Sequence, residues 1–170
     1  VGSFMVSGRR SYFDLFFPLS SQTKGSKAYF GDLNVKANYT LSKKDRLFIS
    51  FYTGKDKLGF SDIFGFGWGN TTGTVRWNRI INSKMFVNTS AIISRYNYNL
   101  QFNISPNLNL ERNNYIQDYG VKSDFTYYIN PKSTVRFGLF NTFHKFRPGE
   151  TAPITSESII VGDTLPSKRA

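Results

Sequence analysis

The sequence predicts an all-β protein, an antiparallel up-and-down meander of about seven long strands, and three observations carry the prediction. The first is the stretch 29–52, YFGDLNVKANYTLSKKDRLFISFY. Its first arm alternates without a fault: Leu33, Val35, Ala37, Tyr39 and Leu41 share one parity, and Asp32, Asn34, Lys36, Asn38 and Thr40 share the other. Successive side chains of an extended chain point to opposite faces, so this is a strand with one apolar and one polar face. Ser42, Lys43, Lys44 and Asp45 interrupt it with turn-forming residues, and Leu47, Ile49 and Phe51 resume an apolar face on a second arm. The second observation is the rhythm of connections. Short ones at 42–45, 82–83 and 130–133 alternate with long ones at 10–27, 55–66, 101–114 and after 147, which puts every short turn at one end of the sheet. The third is composition. Seventeen Phe, ten Tyr and two Trp make 17% of the chain, interleaved with Asn, a mixture that suits pleated surfaces better than helical bundles.

Taken in order, residues 1–9 read as extended, with Phe4 and Val6 on one parity. The connection 10–27 is expected to be partly structured, with a helical turn within 12–17 before Pro18. Residues 55–66, rich in Gly, Lys and Asp, read as a second long connection. The strand 67–81 sets Thr71, Gly73, Val75 and Trp77 opposite Asn70, Thr72, Thr74, Arg76 and Asn78. Along 84–100 the phase changes, from Val87, Ala91 and Ile93 to Tyr96, Tyr98 and Leu100, and a bulge near Ser94 or Arg95 would reconcile the two. The third connection, 101–114, carries Pro106 and a run of Asn. The strand 115–129 sets Tyr119, Val121, Phe125 and Tyr127 against Asp118, Lys122, Asp124 and Thr126. The last clear strand, 134–147, sets Val135, Phe137, Leu139 and Phe143 against Arg136, Thr142 and His144, and 148–170 reads as polar, proline-bearing loop.

The absence of cysteine excludes a disulfide framework and thiolate zinc sites. A net charge of +11 raises nucleic acid or an anionic surface as partners. The basic residues are scattered, however, with Arg9-Arg10, Lys43-Lys44 and Lys168-Arg169 the adjacent pairs, so a solvated or lumen-lining role is expected and nucleic acid is not. The opening VGSFMVSGRR lacks the charged start and apolar core of a secretory signal, so any export signal is expected outside this sequence. No run of about 18 apolar residues is present, which rules out a transmembrane helix and says nothing of a barrel.

The pattern favours a membrane barrel over a soluble sandwich. Tyr39, Trp77 and Tyr127 lie on the apolar parity close to the short turns, as an interfacial aromatic girdle would. Tyr29 and Tyr39 share that parity, and ten residues at ~3.3 Å each, tilted by ~45°, rise roughly 23 Å, close to the ~25 Å apolar band of an outer-membrane barrel. Parity then sorts the residues. Leu33, Val35, Ala37, Tyr39, Val75, Trp77, Val121, Phe125, Tyr127, Val135, Phe137 and Leu139 are expected to face lipid, and Asp32, Lys36, Arg76, Lys122, Asp124 and Arg136 the lumen. A Lys or Arg on the lipid side costs roughly 2–4 kcal/mol at the midplane, so the assignment is not interchangeable. Seven strands leave two open edges where a barrel has none, so residues 1–170 are expected to be a partial barrel, an arc of a larger one. The soluble alternative is an aromatic-rich, carbohydrate-binding β module, for which strands of about five or six residues are more usual.

The blocks SFMVSGRRSYFDLFF, YFGDLNVKANYTLSKKDRLFISFYTGKD, FGWGNTTGTVRWNRI, MFVNTS and DFTYYINPKSTVRFG, taken in that order over nearly the whole chain, resemble the barrel of TonB-dependent outer-membrane receptors. The likeness is greatest to the SusC-like and carboxypeptidase-regulatory-domain-bearing receptors of Bacteroidota. That resemblance implies a 22-stranded barrel with a plugged lumen in the cell outer membrane. It also implies energy supplied by TonB through the receptor's own plug domain, a SusD-like surface lipoprotein as a further partner, and import of a glycan, peptide or metal chelate too large or too scarce for porins. A TonB-contacting box, a plug and a terminal strand ending in an aromatic are not found in these residues, so the chain is expected to be an early-barrel segment. A structural or docking role in a larger outer-membrane assembly is the alternative.

Catalysis is not expected, nor a cofactor or metal. His144 is the one histidine, and a Ser-His-Asp arrangement needs partners that strand parity is not expected to supply. Asp118 and Asp124 stand six residues apart on one strand, about 20 Å, too far for paired-carboxylate work. The glycines of GFGWG are not placed between a strand and a helix, as a dinucleotide fingerprint requires, and read instead as sites of close backbone approach. Phe60, Phe64, Phe66 and Trp68 in the second connection are the candidate ligand or partner contacts.

Overall fold

A computed structural model describes residues 1–17, 25–60, 63–105, 108–149 and 151–154. They form one open sheet in the order β1-β2-β3-β4-β5-β6-β7, every neighbouring pair antiparallel and every connection running to the adjacent strand. The strands are β1 (Gly2–Arg10), β2 (Lys27–Thr40), β3 (Asp45–Phe60), β4 (Phe64–Asn82), β5 (Met85–Ser105), β6 (Leu108–Asn130) and β7 (Ser133–Arg147). A four-residue β8 (Thr151–Ile154) pairs with β6 beyond the end of β7. It runs in β7's direction, Arg147 opposite Tyr115 and Thr151 opposite Arg112, so β7 and β8 are two stretches of one strand position.

The three short turns share one device. Ser42 Oγ accepts the backbone N–H of Lys44 at 3.0 Å, Asn82 Oδ1 that of Lys84 at 2.9 Å, and Asn130 Oδ1 that of Lys132 at 2.9 Å. A side-chain oxygen thus supplies the acceptor two residues ahead of the reversal, which fixes hairpin register locally. At the other end, the segment between β1 and β2 makes a 3-10 turn at Phe13–Leu15, where a helical turn was expected. It is tied to β2 through Ser11, whose N–H donates to Phe30 O at 2.8 Å and whose Oγ accepts from Phe30 N–H at 2.9 Å. The part of that connection at 18–24 lies outside the described residues.

Three expectations need correction. The stretches 55–66 and 101–114 are not long loops. β3 continues to Phe60 and β4 begins at Phe64, while β5 continues to Ser105 and β6 begins at Leu108. The two hairpins are therefore about as tight at this end as at the other, and β5 and β6, with 21 and 23 residues, run roughly 70 Å. There is also no bulge near Ser94 or Arg95, because both flanking registers pass through those residues unbroken, Ser94 opposite Thr72 on one side and Asp118 on the other. Part of 148–170, expected as loop, is the strand segment β8; residues 155–170 lie outside the described residues.

The sheet has next to no core. Among the described residues Val87, 6% exposed, is the one buried hydrophobic side chain, while Phe4, Val6, Ile49, Val75, Val121 and Leu139 are all exposed. A single sheet holds together by its ladders and cross-strand pairs, and the parallel rings of Phe125 and Phe137, 5.0 Å apart, are one such pair.

Candidate functional site

Antiparallel partners point to the same side, so the registers assign every residue to one of two faces. Val35 stands opposite Val6 and Phe51, Phe51 opposite Gly73, and the row continues through Ile93 and Tyr119 to Phe143. Leu33, Val35, Ala37, Tyr39, Val75, Trp77, Val121, Phe125, Tyr127, Val135, Phe137 and Leu139 all fall on this side, the Val35 face. Asp32, Lys36, Arg76, Lys122, Asp124 and Arg136 all fall on the other, the Lys36 face. Two hydroxyls inside the apolar rows pair with each other: those of Thr89 and Ser123, directly opposite on the Val35 face, are 3.0 Å apart.

The two faces exchange character partway up. On the Val35 face, Leu47, Ile49 and Phe51 give way along β3 to Thr53, Lys55, Lys57 and Gly59, and Ala91 and Ile93 give way along β5 to Arg95, Asn97, Asn99 and Gln101. There Asn99 donates to Glu111 Oε1 at 2.5 Å and to Asn113 Oδ1 at 2.6 Å, a wholly polar cross-strand cluster. On the Lys36 face the same stretch turns aromatic. Phe60 stands opposite Phe64, Phe64 opposite Phe102, Leu58 opposite Phe66, and Trp68 opposite Tyr98. Phe64 and Phe102 lie 5.2 Å apart in tilted contact, Phe66 and Trp68 4.9 Å, and Phe66 and Tyr98 6.5 Å. The four candidate contacts Phe60, Phe64, Phe66 and Trp68 therefore sit together on paired strands, not in a loop.

Tyr98, Leu100 and Phe102 belong to this cluster and are not among the candidate contacts read from the sequence. The signal was the phase change along 84–100. It records an exchange of residue character between the two faces of a regular strand, not a slip of register.

Lower on the Lys36 face charged side chains stand among apolar ones such as Phe48, Ile92 and Phe140. Lys122 Nζ is 3.0 Å from Asp124, Asp32 pairs with Arg9, and the Arg76 guanidinium lies 4.7 Å from the ring centre of Phe48. An open hollow of about 550 Å³ is lined by Lys36, Asn38, Phe48, Ser50, Thr74 and Arg76. His144 Nδ1 is 2.7 Å from Asp118 Oδ1, directly across the ladder, so parity does bring His144 an aspartate. Ser94 lies on the far side of Asp118, two strands or about 10 Å from the imidazole, and the order Ser-Asp-His leaves the histidine unable to take a serine proton. Among the described residues no three His, Asp or Glu side chains converge as a metal site would require.

No family model matches the chain, and no curated protein is significantly similar to it.

At the short-turn end, Asp45 anchors the first hairpin. Its carboxylate accepts from Ser42 Oγ at 2.7 Å and Trp77 Nε1 at 3.1 Å, and Arg79 stands 3.7 Å away. The Ser42 hydrogen bond above all, then that of Trp77 and the charges of Arg79 and Lys44, hold its pKa below the ordinary 3.8. A depressed folded pKa stabilises the ionised turn above the ordinary value, and that contribution is lost as pH falls through the lower folded value. A titration of the Asp45 carboxyl by carbon NMR is therefore expected to show a midpoint below 3.8, shifting upward in Ser42→Ala. A midpoint at or above 3.8 in the unaltered protein contradicts this account of the turn.

Proposed function

We propose that this sheet is an arc of a transmembrane β-barrel wall, with the Val35 face toward lipid and the Lys36 face toward a lumen, and that the barrel is a TonB-dependent outer-membrane importer. The observation that carries the reading is the Val35 face itself. It is a largely exposed apolar band crossing every strand from β1 to β7, interrupted by the Thr89–Ser123 pair and Asn141, with no second layer over it among the described residues, and it ends in Lys55, Arg95 and Lys145. Monomeric soluble proteins rarely expose contiguous apolar patches beyond a few hundred Å². Hydrocarbon is the solvent that such a band matches, and β2 to β7, with 14 to 23 residues, exceed the 9–11 or so needed to cross it, while β1, with nine, just reaches that length.

The surplus length accounts for the exchange of faces. Beyond the band the Val35 face meets water and is polar, while the aromatic stretch of the Lys36 face lines the mouth above the lumen. Phe60, Phe64, Phe66 and Trp68, with Tyr98 and Phe102, are the surface there on which an imported solute or a surface partner would stack. The early-barrel resemblance of the sequence blocks supplies the importer class, with the plug, TonB and a surface lipoprotein as its partners.

Fractionation tests this. The protein carrying the sheet is expected in the outer-membrane fraction, resistant to carbonate and released by detergent, and recovery from the soluble fraction would sink the proposal. Trp68→Ala with Phe66→Ala is expected to lower ligand uptake while leaving membrane insertion unchanged; unaltered uptake would remove the mouth from the recognition surface.

A further inference from the structure

The rim of the Val35 face carries cations of one sign. Lys55 and Lys57 on β3, Arg95 on β5, and Lys145 and Arg147 on β7 all point to this side, in three consecutive rows beyond the last apolar residues Phe51, Ile93 and Phe143. The carboxylates of the same region, Asp32, Asp56 and Asp118, all point to the other side. Glu111, the acid on this face, is held by Asn99 and Asn113 one row or more above the cations. Among the described residues none of the five cations has a carboxylate at ion-pair distance. Such segregation is not what scattered solubilising charge produces, since solubilising surfaces mix both signs.

Their height and footing are specific. Arg95 and Lys145 lie two residues past the apolar band and Lys55 four, which at ~3.3 Å per residue and ~45° tilt places them about 5–9 Å above hydrocarbon, the depth of lipid headgroups and not of bulk water. The neighbours of Lys55 across the ladder are Gly31 and Gly69, and the neighbour of Lys57 on β4 is Gly67. Lys55 thus rises between two glycines, while Lys57 stands between Gly67 and the ring of Tyr29. Arg95 is held outward with its guanidinium 4.7 Å from the ring centre of Tyr115, the residue opposite Arg147.

Resting on the barrel reading, we propose that this rim is a binding collar for phosphate-bearing lipid headgroups of net negative charge in the leaflet at that end of the barrel. Lys and Arg donate to the phosphate oxygens while the acyl chains lie on the apolar band directly below, so one lipid satisfies both parts of a continuous surface.

The test uses the full protein in phosphatidylcholine bilayers, alone or doped with phosphatidylglycerol, with native mass spectrometry of the retained lipid. Phosphatidylglycerol is expected to be enriched over phosphatidylcholine, the enrichment falling as salt rises. It is expected to drop roughly fivefold for each cation removed in the series Lys55→Ser, Arg95→Ser and Lys145→Ser. Lys36→Ser and Lys122→Ser, on the other face, are expected to leave it unchanged.

Equal enrichment in the collar series and the unaltered protein overturns the collar, as does an equal loss from the Lys36-face pair. Retention of an acidic protein without phosphatidylglycerol enrichment overturns it in favour of a protein partner. Failure to insert into pure phosphatidylcholine is a separate result, because insertion there needs no anionic lipid; it removes the barrel reading and the collar with it.

Discussion

Replacing Val35 by Arg is expected to impair membrane insertion by about 2–4 kcal/mol, while Lys36→Ala one residue away changes it by no more than about 0.5 kcal/mol. The asymmetry follows from register. Val35 lies mid-band on β2, flanked on its own face by Leu33 and Ala37 and across the ladder by Val6 and Phe51, so a guanidinium there meets only apolar neighbours. Lys36 points to the opposite side, among Ser50 and Met5, with no carboxylate at ion-pair distance among the described residues, so its removal leaves nothing buried and unpaired. Urea titration in lipid vesicles measures both. Equal tolerance of the two substitutions would show that neither face meets hydrocarbon.

The second large effect is expected at Gly149. Between the pairs Tyr115–Arg147 and Arg112–Thr151 the β7–β8 side carries one residue more than β6, which makes the junction a bulge. Gly149 closes it, its N–H donating to Asn114 Oδ1 at 2.6 Å, and a Cβ at this position would sit 2.1 Å from the carbonyl oxygen of Asn113. The atom in the way is backbone, so Gly149→Ala must separate the strands, at about 1–3 kcal/mol. Gly73→Ala is the control, because a Cβ there meets nothing within 4 Å. Hydrogen exchange is expected to speed up at the amides of Thr151, Ala152 and Ile154 in the Gly149 variant and stay unchanged in the Gly73 variant. Unaltered protection in both would mean that the strand position does not depend on the glycine.

The sequence was most legible where one face met a single environment. Along Leu33, Val35, Ala37 and Tyr39 the apolar parity is unbroken, and the hairpin, its turn at 42–45 and the neighbouring strands follow from it. The same rule failed at the upper hairpins, where no parity is uniformly apolar. Lys55, Lys57, Gly65, Gly67 and Gly69 fill one face of β3 and β4 with residues of low strand propensity, so a paired ladder read as a loop. Tyr96, Tyr98 and Leu100 kept a perfect alternation of their own, but on the face opposite to that of Ala91 and Ile93, and the exchange of residue character resembled a register slip. His144 and Asp118, 26 positions apart in sequence, meet only through the β6–β7 register, which no local pattern contains.

The central claim is that the Val35 face meets lipid and the Lys36 face meets water, and paired thiols test it most directly. The chain has no cysteine of its own, so Val35→Cys, Lys36→Cys, Val121→Cys and Lys122→Cys each introduce one thiol into the sheet. In intact outer membranes a charged, water-soluble maleimide is predicted to label positions 36 and 122 and to leave 35 and 121 unlabelled until detergent is added. Equal labelling of all four without detergent would contradict the account, since it would mean that both faces of the sheet stand in water.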